Sequence, residues 1–165
     1  MKKLYIIRHA KSSWDEVGLK DFDRPLNHRG IADAPKMGER LKEKGVKPDM
    51  ILSSSAVRAK KTIKAIAKKV KFKNKIIFKR KIYEASLSTL HKMIKKVNEK
   101  NSTLFLCGHN FELNMLAEKY VGFDENLPTC GMVEIEFNCK NWKDINKKNA
   151  RLISFDYPKK MTKKV

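Results

Sequence analysis

An arginine and a histidine stand side by side, Arg8-His9, directly after the apolar run Leu4-Tyr5-Ile6-Ile7. This pair suits a phosphoryl group, because a guanidinium can bind two oxygens at once and a neutral ring nitrogen can attack phosphorus. Taken alone the pair is a weak signal, since an Arg-His dipeptide after a strand usually belongs to a solvated loop. The interpretation gains weight because a second arginine and a second histidine, Arg58 and His109, occupy comparable places further along the chain.

Arg8-His9 and Arg58 each follow a predicted strand. Leu4–Ile7 is rich in aromatic and β-branched residues, which is typical of a buried strand in a parallel sheet. Met50-Ile51-Leu52 predicts another strand and is followed by Ser53-Ser54-Ser55, where serine is a good N-cap for a helix. Arg58 then falls in the first turn of that helix, although its spacing alone equally allows an exposed helix residue.

The second histidine follows the clearest central strand after the first, Thr103–Cys107. Gly108 permits a close approach of the backbone, and the helix predicted after Asn110 offers its N-terminus to an anion. Ligands of open α/β sheets bind at the carboxyl ends of the strands. We therefore expect His9, Arg58 and His109 to lie at the same edge of the sheet.

The remaining segments complete an alternating pattern. Apolar spacing predicts a helix from about Ile31 to Leu41, with its start left open by Pro35. Ser13–Asn27 lacks periodicity and predicts a loop across the carboxyl edge of the sheet. The other predicted elements are a short edge strand, a helix and two final strands, at Ile76–Phe78, Leu87–Val97, Met132–Phe137 and Arg151–Phe155.

This alternation predicts an α/β fold, a three-layer sandwich whose central sheet is mostly parallel and has helices on both faces. The length of 165 residues suits one domain, which we assign to residues 1–158, followed by a basic and frayed C-terminal tail at 159–165.

Composition limits the classes of partner. The chain has 38 basic and 18 acidic residues and a net charge of +20, which favours anionic partners. The lysines are dispersed, without a basic stripe interleaved with aromatic residues or a zinc-finger spacing, so we expect solvated faces and no specific nucleic-acid partner. The apolar segments are too short for a signal peptide or a membrane span.

Cysteine usage points to a reducing compartment. The chain has three cysteines, Cys107, Cys130 and Cys139, an odd number without C-x-x-C spacing, so we expect no disulfide framework and a cytoplasmic location. Cys107 lies on a buried strand and is interpreted as a core residue. A metal site with Cys107 and His109 lacks further ligands.

The combination of motifs resembles the histidine phosphatase superfamily, the phosphoglycerate mutase-like group with an "RHG" signature. The matching parts are Arg8-His9, Ser53–Ala59 with Thr62, and Gly108-His109-Asn110, while Ala10 replaces the signature glycine. The short length, Asp23–Asn27 and Gly30 resemble the small SixA-type branch of phosphohistidine phosphatases. The similarity runs from about Leu4 to Phe155.

The resemblance implies that His9 is the nucleophile and is transiently phosphorylated. It places Arg8, Arg58 and His109 in a cationic pocket around the phosphoryl oxygens, and it implies neither metal nor cofactor. Two arginines and a second histidine can position and neutralise a phosphoryl group without a metal. Ser12 and Asn110 are further candidates for substrate binding.

Glu84 is a candidate for the proton donor to the leaving group. Larger members of the superfamily have a carboxylic acid near this point, and Glu84 matches it loosely in a Tyr-Glu-Ala context. Its alternative role is electrostatic support of the following helix. Imidazole, with a free pKa of about 6.5, leaves with far less protonation than an alkoxide does, so a site without an established acid favours phosphohistidine as substrate.

Three functions remain open. The first is a protein phosphohistidine phosphatase, and the second is a phosphatase for small phosphorylated metabolites or phosphoanhydrides. The third is a basic binding protein that has kept the fold without catalysis, although the complete set of Arg8, His9, Arg58 and His109 argues against it. A mutase is disfavoured by the short chain, and we expect a monomer.

Overall fold

A computed structural model describes residues 1–161 of the chain. Its strands are β1 (Lys2–Arg8), β2 (Met50–Ser54), β3 (Ile77–Lys79), β4 (Thr103–Gly108), β5 (Met132–Phe137) and β6 (Ala150–Asp156). Its helices are α1 (His28–Glu43), α2 (Val57–Lys69), α3 (Arg80–Tyr83), α4 (Leu87–Lys95) and α5 (Glu112–Val121), with 3-10 turns at Asp21–Asp23 and Trp142–Asp144.

The strands form one six-stranded sheet in the order β3-β2-β4-β1-β5-β6. The neighbours β3, β2, β4 and β1 run parallel, β5 pairs antiparallel with β1, and β6 pairs antiparallel with β5. This confirms the predicted mostly parallel sheet. The ends of β1, β2 and β4 meet at one edge, because Arg8 pairs with Gly108 and Ser53 pairs with Cys107.

Helices cover both faces, which confirms the three-layer sandwich. Successive residues of β1 alternate between two cores, as the pleat of a strand requires. Leu4 and Ile6 pack in the core under α4 and α5. Tyr5 and Ile7 pack in the core under α1 and α2.

Helix α1 begins three residues earlier than the apolar spacing predicted. The side chain of Asn27 accepts a hydrogen bond from the backbone N–H of Gly30, so Asn27 is the N-cap and Pro35 lies in the helix interior. The early start places Gly30 against the backbone of Lys11, where a Cβ would lie 2.2 Å from the Lys11 carbonyl oxygen. Glycine is therefore required here for α1 to support the chain that follows β1.

The predicted serine cap of α2 is wrong. Strand β2 continues to Ser54, and the N-cap is Ala56, which has no side-chain capping bond. The hydroxyl of Ser54 instead accepts a hydrogen bond from the Ala56 backbone N–H, at 3.1 Å. Arg58 does lie in the first turn, as predicted.

The start of the predicted basic tail is held against α1. The Arg40 side chain forms an ion pair with Asp156 at 2.9 Å and donates to the carbonyl oxygens of Pro158 and Lys160. Residues 162–165 of that tail lie outside the described residues. Within residues 1–161, no helix combines the length and the apolar character needed to cross a membrane.

Candidate active site

His9 lies immediately beyond β1 and is fixed on both sides by backbone hydrogen bonds. Its N–H donates to the Gly108 carbonyl at 3.1 Å, and its carbonyl accepts from the Cys130 N–H at 2.9 Å. Its ring Nδ1 lies 2.7 Å from the Ala10 carbonyl oxygen. Because a carbonyl oxygen can only accept, Nδ1 carries the proton of the neutral ring and Nε2 keeps its lone pair.

Helix α2 brings Arg58 to this second nitrogen. The Nε–H of Arg58 donates a long hydrogen bond, 3.4 Å, to Nε2 of His9, and both residues are 7% exposed. Thr62, one turn further along α2, bridges this helix and the segment that follows His9. Its hydroxyl donates to the Arg58 carbonyl and accepts from the Ala10 N–H. The chain after His9 is thereby attached to the helix that carries Arg58.

His109 completes the pocket from the end of β4. Its ring centroid lies 5.1 Å from that of His9, and its Nε2 lies 2.8 Å from the Ser54 hydroxyl. The other ring nitrogen, Nδ1, is buried and has no hydrogen-bond partner among residues 1–161. Buried polar atoms without partners are rare and costly, so this atom is suited to a ligand or to water.

Arg8 also has a buried nitrogen without a hydrogen-bond partner among residues 1–161. Its Nη1 donates to the carbonyl of Leu127 at 3.0 Å, whereas its Nε is buried and unpaired among the described residues. Arg8 and Arg58 both lie near enough to lower the pKa of the two histidines. A group with several oxygen acceptors, such as a phosphoryl group, would satisfy the unpaired donors of this pocket.

Both histidines are neutral in the free protein at neutral pH. Burial lowers the pKa of His9 to about 3, with further lowering by His109, Arg58 and Arg8, which outweighs the opposite effect of the Ala10 carbonyl. Burial, Arg58 and Arg8 lower the pKa of His109 to about 4. The positive charge of the free pocket therefore comes from the arginines, and His109 contributes a neutral hydrogen-bonding ring.

Asp21, a residue that sequence reasoning missed, closes over Arg58. Its carboxylate accepts hydrogen bonds from Arg58 at 2.9 Å, Arg24 at 3.0 Å and the Tyr83 hydroxyl at 2.8 Å. Partial burial would raise the pKa of Asp21, but the bonds from Tyr83, Arg58 and Arg24 lower it to about 2. Asp21 is thus ionised and orients the guanidinium of Arg58.

Tyr83 is the second missed residue. Its ring meets the His109 ring edge-on, with centroids 5.4 Å apart. In the sequence, the only candidate site residue in this segment was its neighbour Glu84. No signal singled out Asp21, because the loop that carries it has no periodicity.

Of the other predicted site residues, Ser12 and Asn110 share hydrogen-bond partners with Asp21 and Arg8, whereas Glu84 lies apart. Glu84 follows α3 with a side chain that is 65% exposed and lies 3.8 Å from Arg80. Ser12 is buried and accepts a hydrogen bond from Arg24 at 2.6 Å. Asn110 donates to the Leu127 carbonyl at 3.1 Å. Their predicted roles in the reaction stay predictions.

Cys107 is fully buried in the core under α1 and α2, as the sequence indicated. Burial raises the pKa of its thiol to about 12, so the thiol is protonated at neutral pH and is unsuited to attack a substrate. Within residues 1–161, no group of three or more histidine, cysteine, aspartate or glutamate side chains is placed to hold a metal ion.

The sequence was compared with protein families and with known proteins. The family model of the histidine phosphatase superfamily (branch 1) matches residues 4–119. An uncharacterized chloroplastic protein of Arabidopsis thaliana is 30% identical over 152 residues, which are 87% of this chain and 70% of that protein.

Two solved structures are similar to this chain over nearly its whole length. A protein of Agrobacterium tumefaciens assigned as phosphohistidine phosphatase SixA superposes with a TM-score of 0.83 at 28% identity, over 95% of this chain and 98% of that chain. A protein histidine phosphatase SixA in complex with tungstate superposes with a TM-score of 0.80 at 16% identity, over 94% and 97% of the two chains, and shows the shared fold. With the model match covering most of its length, the chain belongs to the histidine phosphatase superfamily.

Proposed function

We propose that this protein is a phosphatase that removes the phosphoryl group from phosphohistidine in a protein, through a covalent phosphohistidine intermediate on His9. The observation that carries the proposal is the state of the His9 ring. Its Nδ1 proton is held by the Ala10 carbonyl, and its unprotonated Nε2 accepts only a long hydrogen bond, 3.4 Å, from Arg58. A neutral imidazole whose unprotonated nitrogen lies in a pocket lined by arginines is a nucleophile placed for attack on phosphorus.

The reaction proceeds in two displacements. First, the Nε2 lone pair of His9 forms a bond to phosphorus while the P–N bond to the substrate ring breaks, and this ring, protonated on its other nitrogen, leaves as neutral imidazole. Second, water attacks the phosphorus on His9 and gives a proton to the solvent as the P–N bond to His9 breaks, which releases inorganic phosphate and restores the neutral ring. Arg8 and Arg58 neutralise the phosphoryl oxygens in both steps, and His109 hydrogen-bonds to them.

The choice of phosphohistidine rests on the acids around the pocket. Asp21 is the carboxylate bonded to Arg58, and its pKa of about 2 leaves it ionised and unsuited to give up a proton at neutral pH. Glu84 is largely exposed. Alkoxide leaving groups need a strong proton donor, whereas imidazole does not. The relative assigned as a phosphohistidine phosphatase SixA supports the same choice.

A panel of phosphorylated substrates tests the proposal. It contains a phosphohistidine protein, an aryl phosphate, an alkyl phosphate and a phosphoanhydride, and it compares kcat/KM across the four. We expect the phosphohistidine protein to be the best substrate. A preference for the alkyl phosphate or the phosphoanhydride would establish a metabolite phosphatase instead, and absence of turnover with salt-sensitive binding of nucleic acid would indicate the binding protein.

Activity should survive exhaustive chelation. The guanidinium groups of Arg8 and Arg58 supply the charge that a divalent cation supplies in other phosphoryl-transfer enzymes. The measurement is the turnover of an aryl phosphate before and after dialysis against a chelator. Loss of activity that Mg²⁺ or Zn²⁺ restores would contradict the proposal.

Glu84→Gln separates the two roles that the sequence allows. A general acid predicts a loss of about a hundredfold or more on alkyl phosphates, with much smaller losses on aryl phosphates and phosphohistidine. Because the Glu84 side chain is exposed and pairs with Arg80, we expect the same small factor on all three substrates. Glu39→Gln, on α1, is the control, because its side chain is also exposed and pairs with a basic residue, Lys69. A selective loss on the alkyl phosphate in Glu84→Gln would establish Glu84 as the proton donor.

A further inference from the structure

A groove opens between the edge strand β3 and helix α4, with a volume of about 670 Å³. We call it the α4 groove. Its floor is apolar and consists of Met50, Leu52, Ile77, Met93 and Val97. Met50, Ile77 and Met93 are only partly buried, so apolar surface remains open to a partner at this place.

Basic side chains flank this floor on both sides. Lys79, Arg80 and Lys81 form one rim, and Lys92 on α4 and Lys96 at the C-cap of that helix form the other. None of the residues that line the groove is acidic. Arg80 also has Glu84 at 3.8 Å, but both side chains are more than half exposed, and such surface pairs contribute little. The groove therefore combines an apolar floor with a positive potential.

The groove is connected to the active site through Arg80. The Arg80 guanidinium lies 4.4 Å from the centre of the Phe22 ring, and the Phe22 ring lies 5.0 Å from that of Tyr83. Tyr83 in turn contacts His109. A partner seated in the groove would thus reach the rim of the pocket that contains His9.

We propose that the α4 groove docks an acidic amphipathic helix of the phosphoprotein substrate; this rests on the proposed function. An apolar floor between two basic rims is complementary to an apolar stripe bounded by acidic residues on both sides. One amphipathic helix presents that pattern, with apolar residues at spacings of three and four. The groove binds protein substrates in addition to the contacts of the phosphoryl pocket, and it leaves small phosphate esters unaffected.

The test uses two matched double variants. Lys92→Glu with Lys96→Glu reverses one rim of the groove. Lys147→Glu with Lys148→Glu makes the same change in net charge in an exposed loop before β6. The probe is a fluorescein-labelled helical peptide with a leucine stripe flanked by glutamates, and a second peptide has the leucines replaced by glutamine. Binding is followed by fluorescence anisotropy at 0.15 M salt.

We expect the wild type to bind the leucine peptide, the groove variant to bind it at least about tenfold more weakly, and the loop variant to bind within twofold of the wild type. Binding of the glutamine peptide as tightly as the leucine peptide, equal losses in the two variants, or no binding by the wild type would each overturn the docking proposal.

A kinetic arm separates docking from catalysis. The leucine peptide is extended by a terminal phosphohistidine and compared with isolated N-acetyl phosphohistidine. The groove variant should lose about tenfold in kcat/KM on the peptide and retain its rate on the isolated compound, and equal losses on both would contradict docking. If the wild type hydrolyses neither compound, the proposed function fails, whereas the anisotropy result still decides the groove.

Discussion

His9→Ala should reduce turnover of every phosphorylated substrate by about 10⁴-fold or more, since it removes the group that forms the bond to phosphorus in the proposed reaction. The unprotonated Nε2 of His9 lies beside Arg58, and the other ring nitrogen is engaged by the Ala10 carbonyl. His109 contacts Ser54 through Nε2, and in the proposed reaction its Nδ1 binds the phosphoryl oxygens, so we do not expect it to take over the role of His9. The measurement is kcat/KM on phosphohistidine and aryl phosphate substrates.

The same variant should lose the covalent intermediate. Rapid acid-free quenching of the wild type with labelled substrate should trap an acid-labile phosphate on the protein, and His9→Ala should trap none. His91→Ala is a suitable control, since His91 is bonded to the Tyr120 hydroxyl outside the pocket and its loss should leave turnover unchanged. Circular dichroism should show an intact fold. Wild-type activity in His9→Ala, or a trapped phosphate on another residue, would disprove the assignment.

The central strands and the convergence of the pocket residues could be predicted from local sequence. Leu4–Ile7 and Leu104–Cys107 are apolar runs of strand length, and in each case a histidine follows two residues after the run. Because β1, β2 and β4 are parallel neighbours, whatever follows their carboxyl ends must lie at one edge. The approach of His9, Arg58 and His109 follows from this topology, once the order of the elements is known.

The closure of the pocket could not be predicted in this way. Asp21 reaches Arg58 only because the loop after Ser13 crosses the edge of the sheet and is tied down by Arg24, which donates to the Ser13 carbonyl, the Ser12 hydroxyl and Asp21. These are contacts between segments, and no period of two or 3.6 residues reports them. Tyr83 is not marked by the sequence for the same reason, because its contacts with His109 and Asp21 join separate segments.

The starts of helices α1 and α2 could likewise not be predicted from local sequence alone. Asn27 is a good N-cap by residue type, but the apolar spacing placed the start of α1 at Ile31 and drew attention away from it. At α2, three consecutive serines offered three caps of equal quality. The structure uses none of them as the N-cap, because Ser54 still belongs to β2 and its hydroxyl contacts His109.

Arg58→Ala should lower kcat/KM by about 10³-fold or more, the range typical of an arginine that stabilises a phosphoryl-transfer transition state. The Nε of Arg58 lies 3.4 Å from Nε2 of His9, so in the proposed reaction its charge lies near the transferred phosphoryl oxygens. Arg58→Lys keeps the charge but loses the planar fork that binds two oxygens, and we expect it to remain well below the wild type. Steady-state kinetics on phosphohistidine and aryl phosphate substrates measure both.

Arg151→Ala is the matched control. Arg151 pairs with Glu136 at 3.1 Å on the outer strands, and its side chain is 73% exposed, so its loss removes an equal charge without touching the pocket. We expect its kcat/KM to equal that of the wild type. Full activity in Arg58→Lys would show that a single positive charge is sufficient and that the two-oxygen clamp is unnecessary. Equal losses in Arg58→Ala and Arg151→Ala would contradict a specific role of Arg58. They would indicate that Arg58 acts only through the overall positive potential of a protein with a net charge of +20.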